Sequence, residues 1–270
     1  MDAWTAANRA NWDDRVPIHR ASAFYDVEGW MAERPGPRPW ELKVLGDVAG
    51  LDLVHLQCHF GLDTLAFANA GARVTGVDFS GDAIEVAREL ATSAGLADRA
   101  RFVEADVLTA AEVLAPETFD VVYVSLGSLC WLPSVTAWAG QVAALVRPGG
   151  RLYLHDGHPL AWAMAEDDLR VAQSYFEESE PLAVDSDVTY TDGDGRLTHA
   201  RHYEWNHSLG ETVEAVIGSG LRIERLVEHD WTLWRRFPWL QATSDGRWVP
   251  PPGRPRVPLS FTLVATREDG

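Results

Sequence analysis

The stretch from Leu53 to Leu65 reads LVHLQCHFGLDTL and joins a short apolar run to an amphipathic one. Residues 51–56 predict a buried strand, and Thr64–Ala70 predict a helix that ends at Gly71. A strand, a tight turn and a helix in this order are typical of α/β proteins, which bind ligands beyond the carboxyl ends of their strands. The turn Gln57–Gly61 is therefore a candidate cofactor-binding turn.

Strand and helix patterns alternate along the chain after this turn. The further predicted strands are residues 73–77, 100–103, 119–125, 151–155, 221–228 and 258–265, and the further helices are residues 81–95, 135–145 and 207–218. Alternation of this kind predicts an α/β fold with a doubly wound, mostly parallel sheet and helices on both of its faces.

The segments outside this alternation predict two additions to the domain. Residues 1–44 are polar, aromatic and interrupted by prolines, and we expect an N-terminal helical lid there, with a helix at Trp4–Asp14 and the main domain over residues 45–270. Residues 159–205 interrupt the alternation after the fifth strand, and Tyr190–Gly195 has the composition of a hairpin turn. A strand-rich flap is expected there.

Charge and composition exclude several classes of function. The formal net charge is −17, which disfavours nucleic acid and anionic membranes as partners. Two cysteines give no disulfide framework, the first residues lack the pattern of a signal peptide, and no apolar run is long enough for a membrane span. The cysteine content fits the reducing cytoplasm, and no pattern predicts the oligomeric state.

His55, Cys58 and His59 are potential metal ligands within the opening stretch. No second cluster with the spacing of a zinc site accompanies them, and His55 lies inside a predicted buried strand. We therefore interpret Cys58 and His59 as turn residues and expect no metal.

Acidic residues follow the next two predicted strands. Asp78 ends the second strand, where a carboxylate can accept hydrogen bonds from both hydroxyls of a ribose. Glu104 and Asp106 follow the third strand, where an acid can accept a hydrogen bond from an adenine amino group. Each acid alone has a simpler interpretation as a turn or cap residue, but acids at successive strand ends favour a nucleoside.

Through these motifs the chain resembles the class I S-adenosylmethionine (SAM) dependent methyltransferases, and HLQCHFGLDT is similar to a group of bacterial small-molecule methyltransferases. The matching pieces are LQCHFG, VDFS, EADV, FDVVYVSLG and RPGGRLYLHDGHP, over roughly residues 50–160. The resemblance implies a Rossmann-like seven-stranded sheet with a final antiparallel strand. This chain departs from the family pattern at His55, where the superfamily usually has an acid, and at Gln57 and His59, where the superfamily usually has glycines.

The resemblance also implies a site. The methionine of SAM would lie over Gln57–Gly61, the ribose on Asp78, and the adenine beside Phe79, Asp106 and Val107. The candidate cofactor-binding residues are Gln57, Cys58, His59, Gly61, Asp78, Phe79, Ser80, Asp106, Val107, Ser125 and Gly127.

Methyl transfer from a sulfonium is an in-line displacement, for which the protein aligns the reactants and excludes water. An oxygen or nitrogen nucleophile can also require a base, and His158 and His19 are the candidates. His158 has an equally good interpretation as a loop residue ahead of Pro159. The candidate substrate-pocket residues are Trp12, Tyr25, Trp131 and His158.

Two alternatives stay open at this point. An NAD(P)-dependent oxidoreductase would need a glycine-rich phosphate turn and a proton donor of the Tyr-x-x-x-Lys kind, but Lys43 is the only lysine. A SAM-binding domain without turnover is the second alternative, because the identity of the base is open.

Overall fold

The structure is a computed structural model that describes residues 2–167 and 169–268. Its strands are β1 (Asp52–Leu56), β2 (Arg73–Asp78), β3 (Ala100–Glu104), β4 (Phe119–Ser125), β5 (Val146–Gly157), β6 (Leu182–Asp185), β7 (Arg201–Glu204), β8 (Arg222–His229), β9 (Gln241–Ala242), β10 (Trp248–Val249) and β11 (Ser260–Thr266). Its α-helices are α1 (Ala3–Ala21), α2 (Val27–Glu33), α3 (Pro39–Leu45), α4 (Leu62–Asn69), α5 (Gly81–Ser93), α6 (Ala110–Leu114), α7 (Val135–Leu145), α8 (Pro159–Ala163) and α9 (Leu209–Gly218).

Seven strands form one sheet in the order β3-β2-β1-β4-β5-β11-β8, and the pairing is parallel except where β11 pairs with β5 and β8. This arrangement confirms the predicted doubly wound sheet with a final antiparallel strand. The strand order reverses between β1 and β4, so a crevice opens where these two strands end. Residues that follow β1, β2 and β4 are thereby brought to one edge of the sheet.

Both faces of the sheet are buried under helices, which explains the near-continuous apolar strands. Helices α3, α4 and α5 cover one face with side chains such as Leu45, Leu65 and Ile84. Helices α6, α7 and α9 cover the other, where the fully buried Trp138 lies in the core. The two cores hold the strand ends in place from both sides.

The N-terminal helix is longer than expected and runs from Ala3 to Ala21 through Pro17. Proline removes a helical hydrogen bond, so tertiary contacts must stabilise the helix beyond it. Beyond the proline, the ring nitrogens of His19 lie 3.0 Å from Nε2 of His59 and 2.7 Å from the hydroxyl of Thr189. Before it, the side chain of Asn8 both donates to the carbonyl of Tyr203 and accepts from its amide, at 2.8 and 2.7 Å. Helix α1 is thus fastened to strand β7.

Helix α3 differs from the rest of the expected lid. Its Leu45 is part of the core, and its buried Glu41 accepts a hydrogen bond of 2.6 Å from the hydroxyl of Tyr123 on β4. This helix packs on the sheet itself, so α1 is the part of residues 1–44 that lies over the sheet edge.

The insertion after β5 contains α8 and one two-stranded ribbon, β6 with β7, and is otherwise irregular. The expected hairpin turn at Tyr190–Gly195 lies within the connection 186–200, which joins β6 to the antiparallel β7, so the hairpin has a long loop in place of a tight turn. Its Asp192 instead accepts hydrogen bonds from the amides of Ala23 and Phe24, at 3.0 and 2.8 Å. The loop therefore binds the backbone that follows the end of α1.

Candidate active site at the carboxyl edge of the sheet

The turn after β1 adopts the backbone of a glycine-rich turn without the glycines. Gln57 and His59 have φ angles of 58° and 51°, and Gly61 has 79°. Left-handed backbone is costly for residues with a Cβ, by about 1–2 kcal/mol each. Such strain persists where the surrounding structure enforces it, and it is concentrated at binding sites.

Glycine at position 61 is required by its surroundings as well as by its backbone. A Cβ there would lie 2.5 Å from the ring of Phe102 on β3. The same ring would lie 2.5 Å from a Cβ at Gly76 of β2. The aromatic ring of Phe102 thus fills the space under the turn and sets the height of the turn above the sheet.

The side chain of Gln57 crosses the point where the strand order reverses. Its Nε2 donates a hydrogen bond of 2.9 Å to the carbonyl of Ser128, beyond β4. Its Oε1 is buried and has no partner among the described residues. A buried acceptor without a partner is costly, so this oxygen is poised to accept a hydrogen bond from a ligand.

Asp78 ends β2 beside this turn and is 7% exposed. Its carboxylate accepts hydrogen bonds from the amides of His59 at 2.8 Å and Ser80 at 2.9 Å. Burial raises the pKa of Asp78 to about 6, against the lowering effect of these amide bonds. A carboxylate offers roughly four acceptor positions, so Asp78 retains capacity for further donors.

Ser80 has a structural task next to Asp78. Its hydroxyl caps helix α5 by accepting from the amide of Ala83 at 3.1 Å, and it donates to the carboxylate of Asp13 on α1 at 2.5 Å. The hydroxyl therefore joins the edge of the sheet to α1.

The expected adenine neighbours lie at the ends of β2 and β3. The carboxylate of Asp106 accepts from the amide of Leu108 at 2.9 Å and so caps a short 3₁₀ turn, Val107–Thr109. Val107 is buried in the core, and Phe79 is half-buried. The structure brings them to one edge with Asp78, while their contact with adenine stays a prediction.

The loop after β4 is held by a buried carboxylate. Asp156 accepts hydrogen bonds from the amides of Gly127, Ser128 and Leu129, with 2.9 Å to Leu129. The Gly127 amide is therefore already used and is not free to bind a ligand. Ser125 precedes this loop, and its hydroxyl lies 3.4 Å from Nε2 of the buried His55.

Aromatic side chains from α1 and its neighbours close over the turn. Trp12 lies 5.2 Å from the rings of both His59 and Trp131, measured between centroids, and Tyr25 lies 5.6 Å from His59. Nδ1 of His19 lies 3.0 Å from Nε2 of His59. The predicted pocket residues Trp12, Tyr25 and Trp131 are thus brought together, and His19 joins them.

His158 lies apart from this cluster and is 3% exposed. Its Nδ1 accepts a hydrogen bond of 3.1 Å from the amide of Leu160, which caps α8. Since Nδ1 is an acceptor, the proton of the neutral ring is on Nε2, which lies 2.9 Å from the carboxylate of Glu228. Both ring nitrogens are engaged, and His158 has no free lone pair with which to take a proton.

Replacing His158 by alanine is expected to lower the free energy of unfolding by about 1–2 kcal/mol, because a helix cap is lost. Turnover per folded molecule is expected to stay within about threefold, against the loss of roughly 10²–10⁴ that a general base would give. His158→Asn keeps a capping side chain and is the matched control, with urea unfolding and initial rates as readouts. A hundredfold loss of turnover in a stably folded alanine variant would restore His158 as the base.

Several residues of the site were not predicted. The buried Asn8, Asn11 and Arg15 repeat along one side of α1, and their burial follows from contacts with the insertion that no local pattern reveals. His155 is 2% exposed on β5, next to Ser125 in the register, and its Nε2 has no described partner. The spacing of Asn8, Asn11 and Arg15, which places them on one side of α1, is the sequence pattern that could have indicated this burial.

No group of three or more His, Cys, Asp or Glu side chains within the described ranges is arranged to hold a metal ion. The thiol of Cys58 is buried and donates to the carbonyl of His59 at 3.4 Å. In the part of the chain that the structure describes, no helix combines the length and apolar character needed to cross a membrane.

Comparison with known proteins agrees with this geometry. Residues 54–150 match the family model for a methyltransferase domain. A ubiquinone biosynthesis O-methyltransferase of Methylocella silvestris is 35% identical over 134 residues, which are 49% of this chain and 46% of that protein. The chain spans about half the length of curated relatives of this kind.

Solved structures share the fold at lower identity. A SAM-dependent methyltransferase from Mesorhizobium loti is 21% identical with a TM-score of 0.55, covering 85% of this chain and 96% of that one. Another from Methanosarcina mazei is 17% identical with a TM-score of 0.57, covering 87% and 100%. At this identity the likeness establishes the fold alone.

Proposed function

We propose that this chain, whose residues 54–150 match a methyltransferase domain and whose sheet shares the fold of solved SAM-dependent methyltransferases, belongs to the class I SAM-dependent methyltransferases and transfers the methyl group of SAM to a small molecule. The observation that carries the proposal is the left-handed turn Gln57–Gly61 beside the buried carboxylate of Asp78. The family name alone would not suffice, because one fold hosts many activities.

The residues at this edge fit SAM. Asp78 would accept hydrogen bonds from the ribose hydroxyls, and its remaining lone pairs allow this. Oε1 of Gln57 is buried without a described partner beside the turn, where the ammonium group of the methionine would donate a hydrogen bond to it. Phe79, Asp106 and Val107 would flank the adenine, and Ser80 and Ser125 would border the site.

When bound, SAM supplies an electrophilic methyl group on a positively charged sulfur. The residues of this chain would align the acceptor and keep water out, which is most of what a displacement requires. Trp12, Tyr25 and Trp131 form an aromatic wall over the turn, and aromatic faces stabilise cations.

For an oxygen or nitrogen acceptor that must lose a proton, the pair His19–His59 is better placed than His158. Burial lowers the pKa of His19 to about 3 and the pKa of His59 well below its usual value, so both rings are neutral at pH 7. Nδ1 of His59 has no described partner, while His19 bonds to His59 and, at 2.7 Å, to the hydroxyl of Thr189. In this arrangement His59 would take the proton from the acceptor, and His19 would orient the ring of His59.

The acceptor is proposed to be a small molecule and not a nucleic acid, because the chain carries a net charge of −17. Two free, buried thiols, Cys58 and Cys130, support a reducing compartment such as the cytoplasm. An NAD(P)-dependent oxidoreductase is not favoured, since the family match is to methyltransferases.

Two measurements test the proposal. Titration calorimetry is expected to show binding of S-adenosylhomocysteine (SAH) and none of NAD. Incubation with labelled SAM and candidate acceptors is expected to release SAH in step with methylated product. Binding of NAD without SAH would contradict the proposal, and SAH binding with no turnover on any acceptor would favour a SAM-binding domain without activity.

Helix α1 and the ribbon β6–β7 are expected to move as one cap. They are joined by hydrogen bonds of buried side-chain amides, including that of Asn11 to the carbonyl of His199 at 2.7 Å. Helix α1 meets the sheet edge through the hydrogen bond of Ser80 to Asp13 and through the ring of Trp12 on His59. Hydrogen exchange should therefore slow in residues 3–21 and 182–204 together when SAH is added. Asn8→Ala should uncouple the two segments; equal exchange with and without SAH would mean a fixed arm.

A further inference from the structure

Arg15 is a buried cation without a matching anion. It lies on α1 with 5% of its surface exposed, and its Nε donates a hydrogen bond of 2.8 Å to the side chain of Asn11. No carboxylate among residues 2–167 and 169–268 lies within 4.0 Å of its guanidinium nitrogens. Buried charges are normally paired, because removing a charge from water is expensive.

The neighbours of Arg15 leave this charge unbalanced. Burial lowers its pKa, and the groups that act against this at longer range are Tyr190, Glu204, Cys130 and Tyr25. The carboxylate of Glu204 lies 3.3 Å from Nε2 of His202, which occupies it locally. Because an arginine side chain is not deprotonated in proteins, the guanidinium is a cation whose remaining donors no described carboxylate accepts.

Aromatic rings hold the guanidinium in place. Its central carbon lies 5.0 Å from the centroid of Trp12 and 5.1 Å from that of Trp131, and the two indoles are 5.2 Å apart at 75°. Ring faces stabilise the cation but leave its N–H edges without acceptors. A guanidinium presents those N–H groups as a planar fork that matches a carboxylate.

We propose that Arg15 binds the carboxylate of the methyl acceptor, and that the acceptor is a small aromatic carboxylic acid. This inference rests on the proposed function. Arg15 lies on the β4 side of the crevice, against Trp131, whereas Asp78 lies on β2, on the other side of β1. Trp12 and Trp131 provide apolar faces for a flat ring next to the guanidinium. The methionine of SAM also has a carboxylate, so the test separates the two sources.

The experiment compares benzoate with benzamide, which have the same ring and differ in charge. Binding of each is measured by tryptophan fluorescence and calorimetry at constant ionic strength, with and without saturating SAH. The wild-type protein is expected to bind benzoate at least tenfold more tightly than benzamide, with or without SAH. Arg15→Gln should abolish this preference and leave SAH affinity within about threefold.

Matched variants keep the result interpretable. Arg20→Gln removes the same charge from the same helix, where Arg20 is exposed and pairs with Glu89 at 2.8 Å, and it should retain the preference for benzoate. Arg15→Lys keeps the charge without the fork and should show an intermediate preference, which also covers the case in which the glutamine variant does not fold. Circular dichroism checks each variant.

Three results would overturn the proposal. The first is equal affinity of the wild-type protein for benzoate and benzamide, or binding of neither. The second is a preference for benzoate that survives in Arg15→Gln. The third is competition between benzoate and SAH together with a more than tenfold loss of SAH affinity in Arg15→Gln, which would assign the guanidinium to the cofactor.

Absence of SAH binding to the wild-type protein would contradict the proposed function, and the benzoate measurement without SAH would still report on Arg15.

Discussion

Asp78→Ala is expected to weaken SAH binding by about 2–4 kcal/mol, or roughly 30- to 1,000-fold, because two charge-assisted hydrogen bonds to the ribose are lost. The carboxylate also receives the amides of His59 and Ser80, so part of the loss will reflect a looser turn. Calorimetry on the folded variant gives the affinity. Asp78→Asn keeps the size of the side chain and should bind with intermediate affinity.

Asp82→Ala is the matched control, because Asp82 is an exposed acid in the first turn of α5 close to the site. It should bind SAH with wild-type affinity, so a general effect of charge would be recognised. Unchanged affinity in Asp78→Ala, with the fold intact, would remove Asp78 from the cofactor site.

The raised pKa of Asp78 predicts a pH dependence. Only the carboxylate form can accept two hydroxyl donors, so SAH affinity should be constant well above pH 6 and fall about tenfold per pH unit below it. Stability of the ligand-free protein should change in the opposite sense. Because the pKa of Asp78 is higher in the folded than in the unfolded protein, this group increases the free energy of unfolding at pH below about 4. That contribution is lost as the pH rises through 6.

Gly61→Ala is expected to lower the free energy of unfolding by about 2–5 kcal/mol, from a left-handed backbone and from overpacking against Phe102. Gly95→Ala is the matched control, since Gly95 has φ +66° but no atom within 4 Å of the position that a Cβ would take. It should cost only about 1–2 kcal/mol, the backbone part alone. Urea unfolding of both variants measures the difference.

A second change separates the two causes. Phe102→Leu in the Gly61→Ala background should recover most of the overpacking cost, as a favourable coupling energy in a double-mutant cycle. Equal losses in Gly61→Ala and Gly95→Ala, or no coupling with Phe102, would mean that the ring does not set the height of the turn.

Local patterns predicted the core of this protein well. Alternating strands and helices, with apolar runs such as residues 119–125, led directly to the parallel sheet and to the order of its elements. The reason is that a strand buried on both faces must be apolar along its length, which local sequence records. Asp78 and the turn Gln57–Gly61 were predicted for a related reason, since the ends of parallel strands meet at one edge.

The cap was predicted poorly because its stability comes from distant contacts. Residues 3–21 form one helix through Pro17 whose contacts lie far along the chain, from Asn8 and Asn11 to Tyr203 and His199 and from His19 to Thr189. The turn-like residues Tyr190–Gly195 lie in a long loop between β6 and β7, where Asp192 accepts hydrogen bonds from the backbone that follows α1. Neither partner can be inferred from the neighbouring residues.

The sequence by itself determined the fold class and the edge of the sheet where chemistry is expected, because these follow from periodic burial and from residues at strand ends. The tertiary structure alone decided which histidine has a free nitrogen. The sequence offered His158 and His19 as bases, but Leu160 and Glu228 engage both nitrogens of His158, and His59 and Thr189 engage those of His19. Nδ1 of His59, which the sequence indicated only as a turn residue, has no described partner. Hydrogen-bond partners depend on three-dimensional proximity, and so does the burial of Arg15 without a counter-ion among the described residues.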